Sequence, residues 1–590
     1  MEDYGSTIKA IENELQRGKK RSFQYAIIRC ILMLCILTLV YYAIEYNSFL
    51  YILAIIMLAM FLYAVKKHNT LKKKVEFHTE FISVLQKLMA RRSDEWKKED
   101  MPYSEYETMT GVTSDLDILG NASLFQYINM AHTPLGRDRV VQLLTVQTPH
   151  VEEVKERQLA VLELWKNTDF LHKFQVQSSL FAKHSKKLSR SVFDYMLDMK
   201  ANKTNRWIEY FLTMLRVLTL IIGFFTLCHW LPSGYFYLLC FINISLSLLC
   251  YSYHQKSLYN VRNIQVMLRD YEDMISHICH TTFQDPSLCR IQKKLQEALK
   301  AMQSLSRIAM LVQCRNNILT YAIVNALYLL DFKCHTLLNR WIDQYGNEMN
   351  EWLSAVAEME SLSSLCVIAQ VKEVWCMPNV KEPEECMVQV EEGFHPLIQE
   401  EKGIANSMKM ETNSYVITGS NMSGKTTFLR MLGVNMVLLK AGAPVCAKSM
   451  DASILALYTS MRVHDEVQKG ISTFYAELLR IKEMIEYSNK KIPMIVLIDE
   501  IFKGTNSMDR IYCAKEVIRK LHCPWIIAFV STHDFELCDL DKDTFVQAVN
   551  YHFEEYYEKD QICFDYVLKE GKCTTTNARA LMKLAGLLES

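Results

Sequence analysis

The sequence predicts an α/β P-loop NTPase domain in its C-terminal part, preceded by an all-α region that two transmembrane helical hairpins interrupt. Three observations lead to this fold class. A glycine-bounded loop ending in Lys-Thr follows an apolar strand, and a second apolar strand farther along ends in Asp-Glu. The N-terminal half contains two pairs of long apolar runs, each pair joined by a short turn.

The glycine-bounded loop is the most specific motif in the chain. It follows the apolar residues 415–418 and precedes a helix start, which is the context that a phosphate-binding loop requires. Its glycines let successive backbone N–H groups face one anion, and the helix N-terminus adds partial positive charge. We expect Lys425 to contact the β- and γ-phosphates and the Thr426 hydroxyl to bind Mg²⁺. The residues predicted to bind the nucleotide here are Gly419, Ser420, Asn421, Met422, Ser423, Gly424, Lys425, Thr426 and Thr427.

Two further strands end in residues that suit ATP hydrolysis. Residues 494–498 are continuously apolar, as expected of a parallel strand buried on both faces, and Asp499 and Glu500 follow. We predict that Asp499 holds Mg²⁺ and that Glu500 orients or deprotonates the attacking water. A third apolar strand, 525–530, leads to Thr532 and His533 and places a polar side chain at the γ-phosphate end of the sheet. Together with the loop, these residues predict an ATPase that uses ATP and Mg²⁺.

The composition limits the classes of partner. The chain has 66 basic and 66 acidic residues, so no global basic field drives non-specific nucleic-acid binding. DNA contact would need a local patch, of which the best contains Lys183, Lys186, Lys187 and Arg190; these side chains could equally contact anionic lipids. The 18 cysteines form no CxxC pair, which is typical of reduced cytosolic thiols.

The first pair of apolar runs covers residues 25–44 and 49–65. Each is about long enough to cross a bilayer core of ~30 Å, which takes roughly 17–25 residues. Basic residues flank both outer ends, at 17–21 and 66–74, whereas the turn carries only Glu45. This asymmetry predicts that both ends lie in the cytoplasm. The alternative is a helical hairpin buried in a soluble core.

The second pair covers residues 217–231 and 235–251, joined at Pro232-Ser233-Gly234. Basic residues again flank its outer ends, at 200–206 and 256–262. The sequence therefore predicts a multi-pass membrane protein of about four spans with a cytoplasmic ATPase domain and the lipid bilayer as a partner. A further apolar run, 318–330, is too short to span and is predicted to be a core helix.

These patterns divide the chain into five predicted regions. They are the N-terminal tail with the first hairpin (1–75), the first part of a helical region (76–205), the second hairpin (206–256), the second part of the helical region (257–387) and the ATPase domain (388–590).

Several segments together resemble the MutS mismatch-repair family. They are the loop and its flanks at 418–430, the segments 441–445, 470–477, 499–509 and 531–537, residues 393–397 with Asn406, and the distant segment 133–137. The loop departs from the family at three positions: Ser420 replaces Pro, Ser423 replaces Gly, and Thr426 stands where Ser is more frequent. These departures leave the phosphate chemistry intact.

The resemblance implies an ABC-type ATPase, the MutS C-terminal domain, behind a helical core. It implies a homodimer with composite sites, in which Ser472 and Thr473 of one subunit contact the γ-phosphate bound at Lys425 of the other. The alternative role for Ser472 is a helix N-cap. It also implies that His395 and Asn406 lie near the adenine, that His533 belongs to a switch element, and that DNA is a partner.

The resemblance does not extend to the family's mismatch-reading module. Mismatch-recognising members carry an N-terminal domain that wedges an apolar side chain into the duplex. Residue 133 already matches the opening of the helical core, so we expect no mismatch reading by that route. Two alternatives are an ATP-driven membrane-linked switch and a transporter-like ATPase without a DNA role, although residues 469–473 do not match the transporter signature Leu-Ser-Gly-Gly-Gln. A scaffold that does not hydrolyse ATP would need a degenerate Lys425 or Glu500.

Overall fold

A computed structural model describes residues 4–46, 49–98, 111–185, 206–253, 258, 265–420, 422–462, 473–502, 506–558 and 561–573. In these residues, helices form most of the chain up to residue 371, and twelve strands with three long helices follow. The helices of the first part are Tyr4–Glu45, Leu50–Ala90, Val112–Asp115, Leu124–Ile128, Pro134–Thr145, Val151–Lys166, Thr168–Ser185, Arg206–Leu227, Ser233–Leu249, Gln265–Cys279, Pro286–Val312, Ile318–Tyr328, Leu330–Tyr345, Met349–Leu365 and Val367–Val371. Short 3₁₀ turns cover Asp94–Lys98, Gln313–Asn316, Pro383–Glu385 and Phe535–Lys542.

The first two helices form an antiparallel hairpin that is longer than the predicted spans. Tyr4–Glu45 has 42 residues and Leu50–Ala90 has 41, so each extends roughly 60 Å at about 1.5 Å per residue. Their outer ends, which contain the predicted spans, expose many large apolar side chains. Their inner ends pack into the helical region, where Tyr4 donates a hydrogen bond of 2.9 Å to the carbonyl of Gln370. Unbroken helices therefore join the apolar ends to the core.

The second hairpin comprises Arg206–Leu227 and Ser233–Leu249, with its turn a few residues earlier than predicted. The Ile318–Tyr328 helix packs against both of its helices. The prediction of a core helix at 318–330 is wrong for the first part of this run, because Ile318 and Leu319 are 86% and 72% exposed. In its last part, Asn325, Ala326, Leu329 and Leu330 are buried.

Among the residues that the structure describes, four helices are candidates by length and composition to cross a membrane: Tyr4–Glu45, Leu50–Ala90, Trp207–Leu227 and Met349–Val371. The last of these lies inside the helical core, with 89% of its most apolar stretch buried. Ser233–Leu249, the second predicted span of the second hairpin, is a shorter apolar helix. Three of the four predicted spans thus lie in helices that are candidates by composition.

The C-terminal part contains a six-stranded sheet, a four-stranded sheet and a two-stranded ribbon. The six-stranded sheet has the order β12-β9-β4-β8-β7-β6, and all its neighbours are parallel except β12, which is antiparallel to β9. The four-stranded sheet has the order β1-β5-β2-β3, and β10 pairs with β11. The strands are β1 Asn379–Lys381, β2 Val388–Gly393, β3 Asn406–Met410, β4 Asn413–Thr418, β5 Ser449–Ser453, β6 Ala456–Ser460, β7 Met494–Asp499, β8 Ile526–Thr532, β9 Val549–His552, β10 Glu555–Glu558, β11 Gln561–Phe564 and β12 Lys569–Glu570.

Three helices accompany this part: Lys425–Ala441, Thr473–Ser488 and Ser507–Leu521. Strands β7 and β8 are buried along their whole length, as expected of central parallel strands covered on both faces. The Lys425–Ala441 helix is almost wholly buried because it also packs against the helical region. This helix starts at the predicted nucleotide loop, so the loop is fixed to the core of the molecule.

Candidate functional site

The predicted site residues meet because three parallel strands end at one edge of the sheet. Thr418, the last residue of β4, pairs with Thr532 of β8, and Asp499 of β7 pairs with Ser531. The loop 419–424 follows β4, Glu500 follows β7, and His533 follows β8. Ligands of open parallel sheets bind outside the carboxyl ends of the strands, which is where these residues lie.

The loop has the backbone geometry of a close anion cradle. Gly419 and Gly424 have φ of +149° and +114°, and Met422 has φ of +71°. A Cβ on Gly419 would lie 2.7 Å from the carbonyl oxygen of Phe553 and 2.7 Å from the Ser423 hydroxyl, so only glycine fits. The Lys425 ammonium, which is buried, donates to the carbonyls of Gly419 and Ser420, at 2.8 Å each. Its charge is thereby held at the mouth of the loop.

The predicted magnesium residues are in contact. Thr426 donates a hydrogen bond of 2.6 Å from Oγ1 to Oδ2 of Asp499. The other carboxylate oxygen, Oδ1, accepts from the Ser531 hydroxyl. A hydroxyl and a carboxylate are hard oxygen ligands of the kind that Mg²⁺ prefers. Asp499 is 7% exposed, so its orientation is fixed by these two bonds.

Glu500 and His533 form a second pair beside the first. Nε2 of His533 lies 3.0 Å from Oε1 of Glu500. The backbone of Glu500 has φ of +54°, a conformation that costs an L-residue about 1–2 kcal/mol. The Glu500 N–H donates to both the carbonyl and the hydroxyl of Ser531, at 3.1 Å each, which stabilises this turn. The turn directs the carboxylate into the cleft that the loop borders.

The cleft has a volume of about 450 Å³ and lies between the loop and the four-stranded sheet. His395 and Asn406 also line it, together with Ile404 and Tyr566. Burial, with the Arg430 guanidinium as a smaller cause, lowers the pKa of His395 to about 3. The Leu397 N–H donates to its Nδ1 at 3.2 Å, so the neutral ring carries its proton on Nε2. Asn406 donates to the Tyr566 carbonyl at 3.1 Å and accepts from the Leu568 N–H at 2.7 Å.

Some predicted residues lie outside the described part of the chain. These are Asn421 of the loop and Ser472, with only the backbone of Thr473 described. Lys186, Lys187 and Arg190 of the basic patch also lie outside it, whereas Lys183 is described and forms an ion pair of 3.6 Å with Glu80. The trans role of Ser472 and Thr473 stays a prediction.

Three functional contacts were not predicted from the sequence. Ser531 bridges Asp499 and the Glu500 backbone. Glu477, on the Thr473–Ser488 helix, accepts from the Phe502 N–H at 2.7 Å and links that helix to the turn after β7. Asp115 is fully buried and accepts hydrogen bonds from Thr459 and from the backbone beyond β6. A serine directly before the Thr-His pair could have indicated the first contact; the other two depend on tertiary structure.

Comparison with known proteins identifies relatives of this part of the chain. Residues 415–590 match the family model of MutS domain V. A DNA mismatch repair protein MutS from Aquifex pyrophilus is 31% identical over 258 residues, which cover 42% of this chain and 28% of the relative. The corresponding protein from Persephonella marina is 27% identical over 274 residues (44% and 30%), and that from Lactobacillus acidophilus is 30% identical over 244 residues (40% and 28%). The chain thus spans less than a third of the length of these relatives.

Proposed function

The C-terminal part of this chain is a MutS-related domain, and on that premise we propose that the protein is an Mg²⁺-dependent ATPase anchored in a membrane. The observation that carries the proposal is the contact set at the sheet edge. Oγ1 of Thr426 lies 2.6 Å from Oδ2 of Asp499. Beside this pair, Nε2 of His533 lies 3.0 Å from Oε1 of Glu500. These are the two pairs that metal binding and water activation require.

The residues present fit a magnesium nucleotide. The buried hydroxyl of Ser423 has no hydrogen-bond partner among the described residues, although it lies inside the phosphate loop. Thr426 and Asp499 would hold Mg²⁺, which neutralises phosphate charge when bound. His395 and Asn406, across the cleft, would contact the base, and the neutral ring of His395 offers an uncharged surface and one N–H donor.

In this proposal, Glu500 accepts the proton of the attacking water. Its carboxylate borders the cleft, and a carboxylate within hydrogen-bond distance of a water can orient it or accept its proton. His533 positions that carboxylate through the 3.0 Å contact. Lys425 supplies fixed positive charge for the phosphates at the mouth of the loop.

Two substitutions test the chemistry. Lys425→Ala should abolish binding of a fluorescent ATP analogue, because the buried positive charge is lost. Glu500→Gln should bind the analogue as the parent does and reduce turnover by roughly 10²–10⁴-fold, the usual contribution of a general base. Glu486→Gln, at a surface acid paired with Lys482, is the matched control and should leave both unchanged. Hydrolysis by Glu500→Gln at the parent rate would show that another group is the base.

Dimerisation is proposed from the resemblance of the segments to the MutS family, and DNA binding from the relatives, whose names describe DNA mismatch repair. In this proposal, Ser472 and Thr473 complete the site of a second copy. Specific ATPase activity should then fall on dilution below the dimer dissociation constant. DNA binding is tested with the detergent-solubilised protein, with and without ATP, over a range of salt concentrations. DNA binding that weakens steeply with salt supports the DNA role. The absence of DNA binding at low salt would reject the DNA role and leave only the membrane-linked role.

A second candidate, an ATP-driven membrane-linked switch, is favoured by the continuity of the first hairpin with the core. Its helices run unbroken from exposed apolar ends to Tyr4 and Leu85, both buried in the helical region. Such helices transmit a displacement without an intervening hinge. A transporter-like role has no comparable support.

A further inference from the structure

We propose that the Ile318–Tyr328 helix is embedded in the cytoplasmic leaflet of the bilayer as a third apolar element beside the second hairpin. This inference rests on the membrane anchoring proposed above and adds a segment that is too short to span. The helix has 11 residues, about 16 Å at 1.5 Å per residue, or roughly half of a bilayer core. In this proposal, the exposed face of the helix contacts lipid hydrocarbon.

The outward face of this helix is apolar and uncovered. Ile318, Leu319 and Ile323 are 86%, 72% and 53% exposed. The hairpin beside it exposes Phe224 and Phe241, at 62% and 68%. An exposed apolar surface of this extent on a monomer marks a partner or a membrane. The hairpin is the predicted membrane element. Lipid is therefore the partner that would cover the exposed faces of both the hairpin and this helix.

The inward face is polar and bonded to the hairpin. Asn243 donates to the Thr219 hydroxyl at 3.0 Å and to the Ala326 carbonyl at 2.7 Å. Ser247 donates to Oδ1 of Asn325 at 3.4 Å. Thr219, Asn243, Ser247 and Asn325 are all buried. Polar side chains that hydrogen-bond between helices, with apolar side chains turned outward, are the arrangement that helices adopt in lipid.

Both ends of the helix are closed by hydrogen bonds. Oδ1 of Asn317 accepts from the Leu319 and Thr320 N–H groups, at 2.9 and 3.4 Å. At the other end, Asn325 Oδ1 accepts from the Asp331 N–H at 3.0 Å, and the chain reverses at Leu329, with φ of +48°. Asp331 also pairs with the buried Arg315 at 3.4 Å. Lipid tolerates a helix end only where its backbone groups are satisfied internally, and these contacts satisfy several of the terminal groups.

The order of the contacts gives the direction of the helix. The Tyr321 ring lies 6.0 Å from that of Tyr251, Asn325 contacts Ser247, and Ala326 contacts Asn243. The helix therefore runs from the proposed cytoplasmic end of the hairpin towards its middle. It then turns at Leu329, which packs with Leu212 and Leu215, and returns through Leu330–Tyr345 to the core.

Site-specific photocrosslinking of the full-length protein in phosphatidylcholine vesicles tests the proposal. A diazirine amino acid is placed at Leu319 or Ile323, and phospholipid adducts are measured by intact-mass spectrometry. The matched negative control is Leu159, which is similarly exposed at 58% but lies on the Val151–Lys166 helix of the core. We expect lipid adducts at both test positions, at least ten times more abundant than at Leu159.

Positive controls at Ile56 and Phe224 separate this inference from the proposed anchoring. Lipid adducts at these two positions, with position 323 no higher than Leu159, would overturn the third-element proposal and leave the hairpins in the membrane. No adducts at Ile56 and Phe224 would overturn the anchoring itself, and this inference with it.

Discussion

Ser531 illustrates how one side chain can organise two others. Its hydroxyl donates to Asp499 and accepts from the Glu500 N–H, so it fixes both the carboxylate that we propose binds Mg²⁺ and the strained turn that presents the proposed base. Hydrogen bonds to charged groups contribute about 1.5–3 kcal/mol each. Ser531→Ala should therefore lower kcat roughly ten- to a hundredfold and raise the Mg²⁺ concentration needed for half-maximal activity.

The control for Ser531 is Ser414→Ala, because Ser414 is equally buried on the neighbouring strand but lies at the opposite end of the sheet. A Mg²⁺ titration of ATPase activity is the measurement. If both substitutions change the Mg²⁺ requirement to the same extent, Ser531 acts through general stability and the positioning role is wrong.

Lys440 should make stability depend on pH. It is buried near the end of the Lys425–Ala441 helix, donates to the Gln147 carbonyl at 3.2 Å, and burial lowers its pKa to about 7. The unfolded chain has an ordinary lysine pKa of about 10.4, so between pH 7 and 10 the unfolded state binds more protons. The free energy of unfolding should therefore rise with pH in this range, by at most about 1.4 kcal/mol per pH unit.

Lys440→Met removes the titrating group and keeps most of the volume. We expect the Tm of the parent, measured by differential scanning fluorimetry, to rise relative to that of the variant from pH 7 to pH 9. A constant difference in Tm over this range would show that the ammonium is not desolvated in the folded protein.

At the scale of elements, the short helix Val112–Asp115 joins the helical region to the α/β part of the chain. Asp115 accepts from the Thr459 hydroxyl at 2.7 Å and pairs with Arg480 at 3.2 Å. Two residues on, Asp117 pairs with Arg462 at 2.6 Å and with Arg430, which lies on the helix that starts at the nucleotide loop. This junction thus contacts strand β6, the Lys425–Ala441 helix and the Thr473–Ser488 helix.

Removal of the buried charge should weaken that junction. Breaking a buried ion pair typically costs 3–5 kcal/mol, so Asp115→Ala should destabilise the protein by roughly 3 kcal/mol. Asp343→Ala, at an exposed acid, is the control and should change stability by less than about 0.5 kcal/mol. Calorimetric unfolding of both variants is the measurement, and equal Tm values would show that the junction does not depend on the Asp115 charge.

The same elements show which features the sequence can predict. The loop, β7 and β8 were predictable because each motif is local and parallel strands bring their carboxyl ends to one edge. The contact between Asp115 and Arg480 joins residues far apart in the chain, and no local pattern indicates it. Apolar composition alone does not show whether the protein itself covers a helix. The Met349–Val371 helix is buried inside the protein. The Ile318–Tyr328 helix is also apolar, but it exposes residues such as Ile318 and Leu319.

At the scale of the molecule, the first hairpin and the cleft are joined through one helical core. Tyr4 and Leu85 of the first hairpin, Leu258 and the Met349–Leu365 helix belong to the same buried apolar cluster as Phe428 and Leu432 of the loop helix. A displacement of the loop helix therefore has a packed apolar route to the first hairpin. Whether that route carries free energy is a question of thermodynamic linkage, which must act in both directions.

This reciprocity gives a prediction for the whole protein. If nucleotide binding changes the position of the hairpins, then a bilayer that resists that position must change nucleotide affinity by the same factor. Bilayers whose thickness mismatches the spans impose fractions of a kcal/mol per Å, so a change of about 8 Å in thickness should shift the Kd several-fold. The measurement is the Kd of the Glu500→Gln variant for ATP in vesicles of short-chain and long-chain phosphatidylcholine, with the same variant in detergent as the reference. Identical Kd values in both bilayers would show that the hairpins only anchor the proposed ATPase. If nucleotide binding changed the position of the hairpins, linkage would require the bilayer thickness to change the nucleotide affinity.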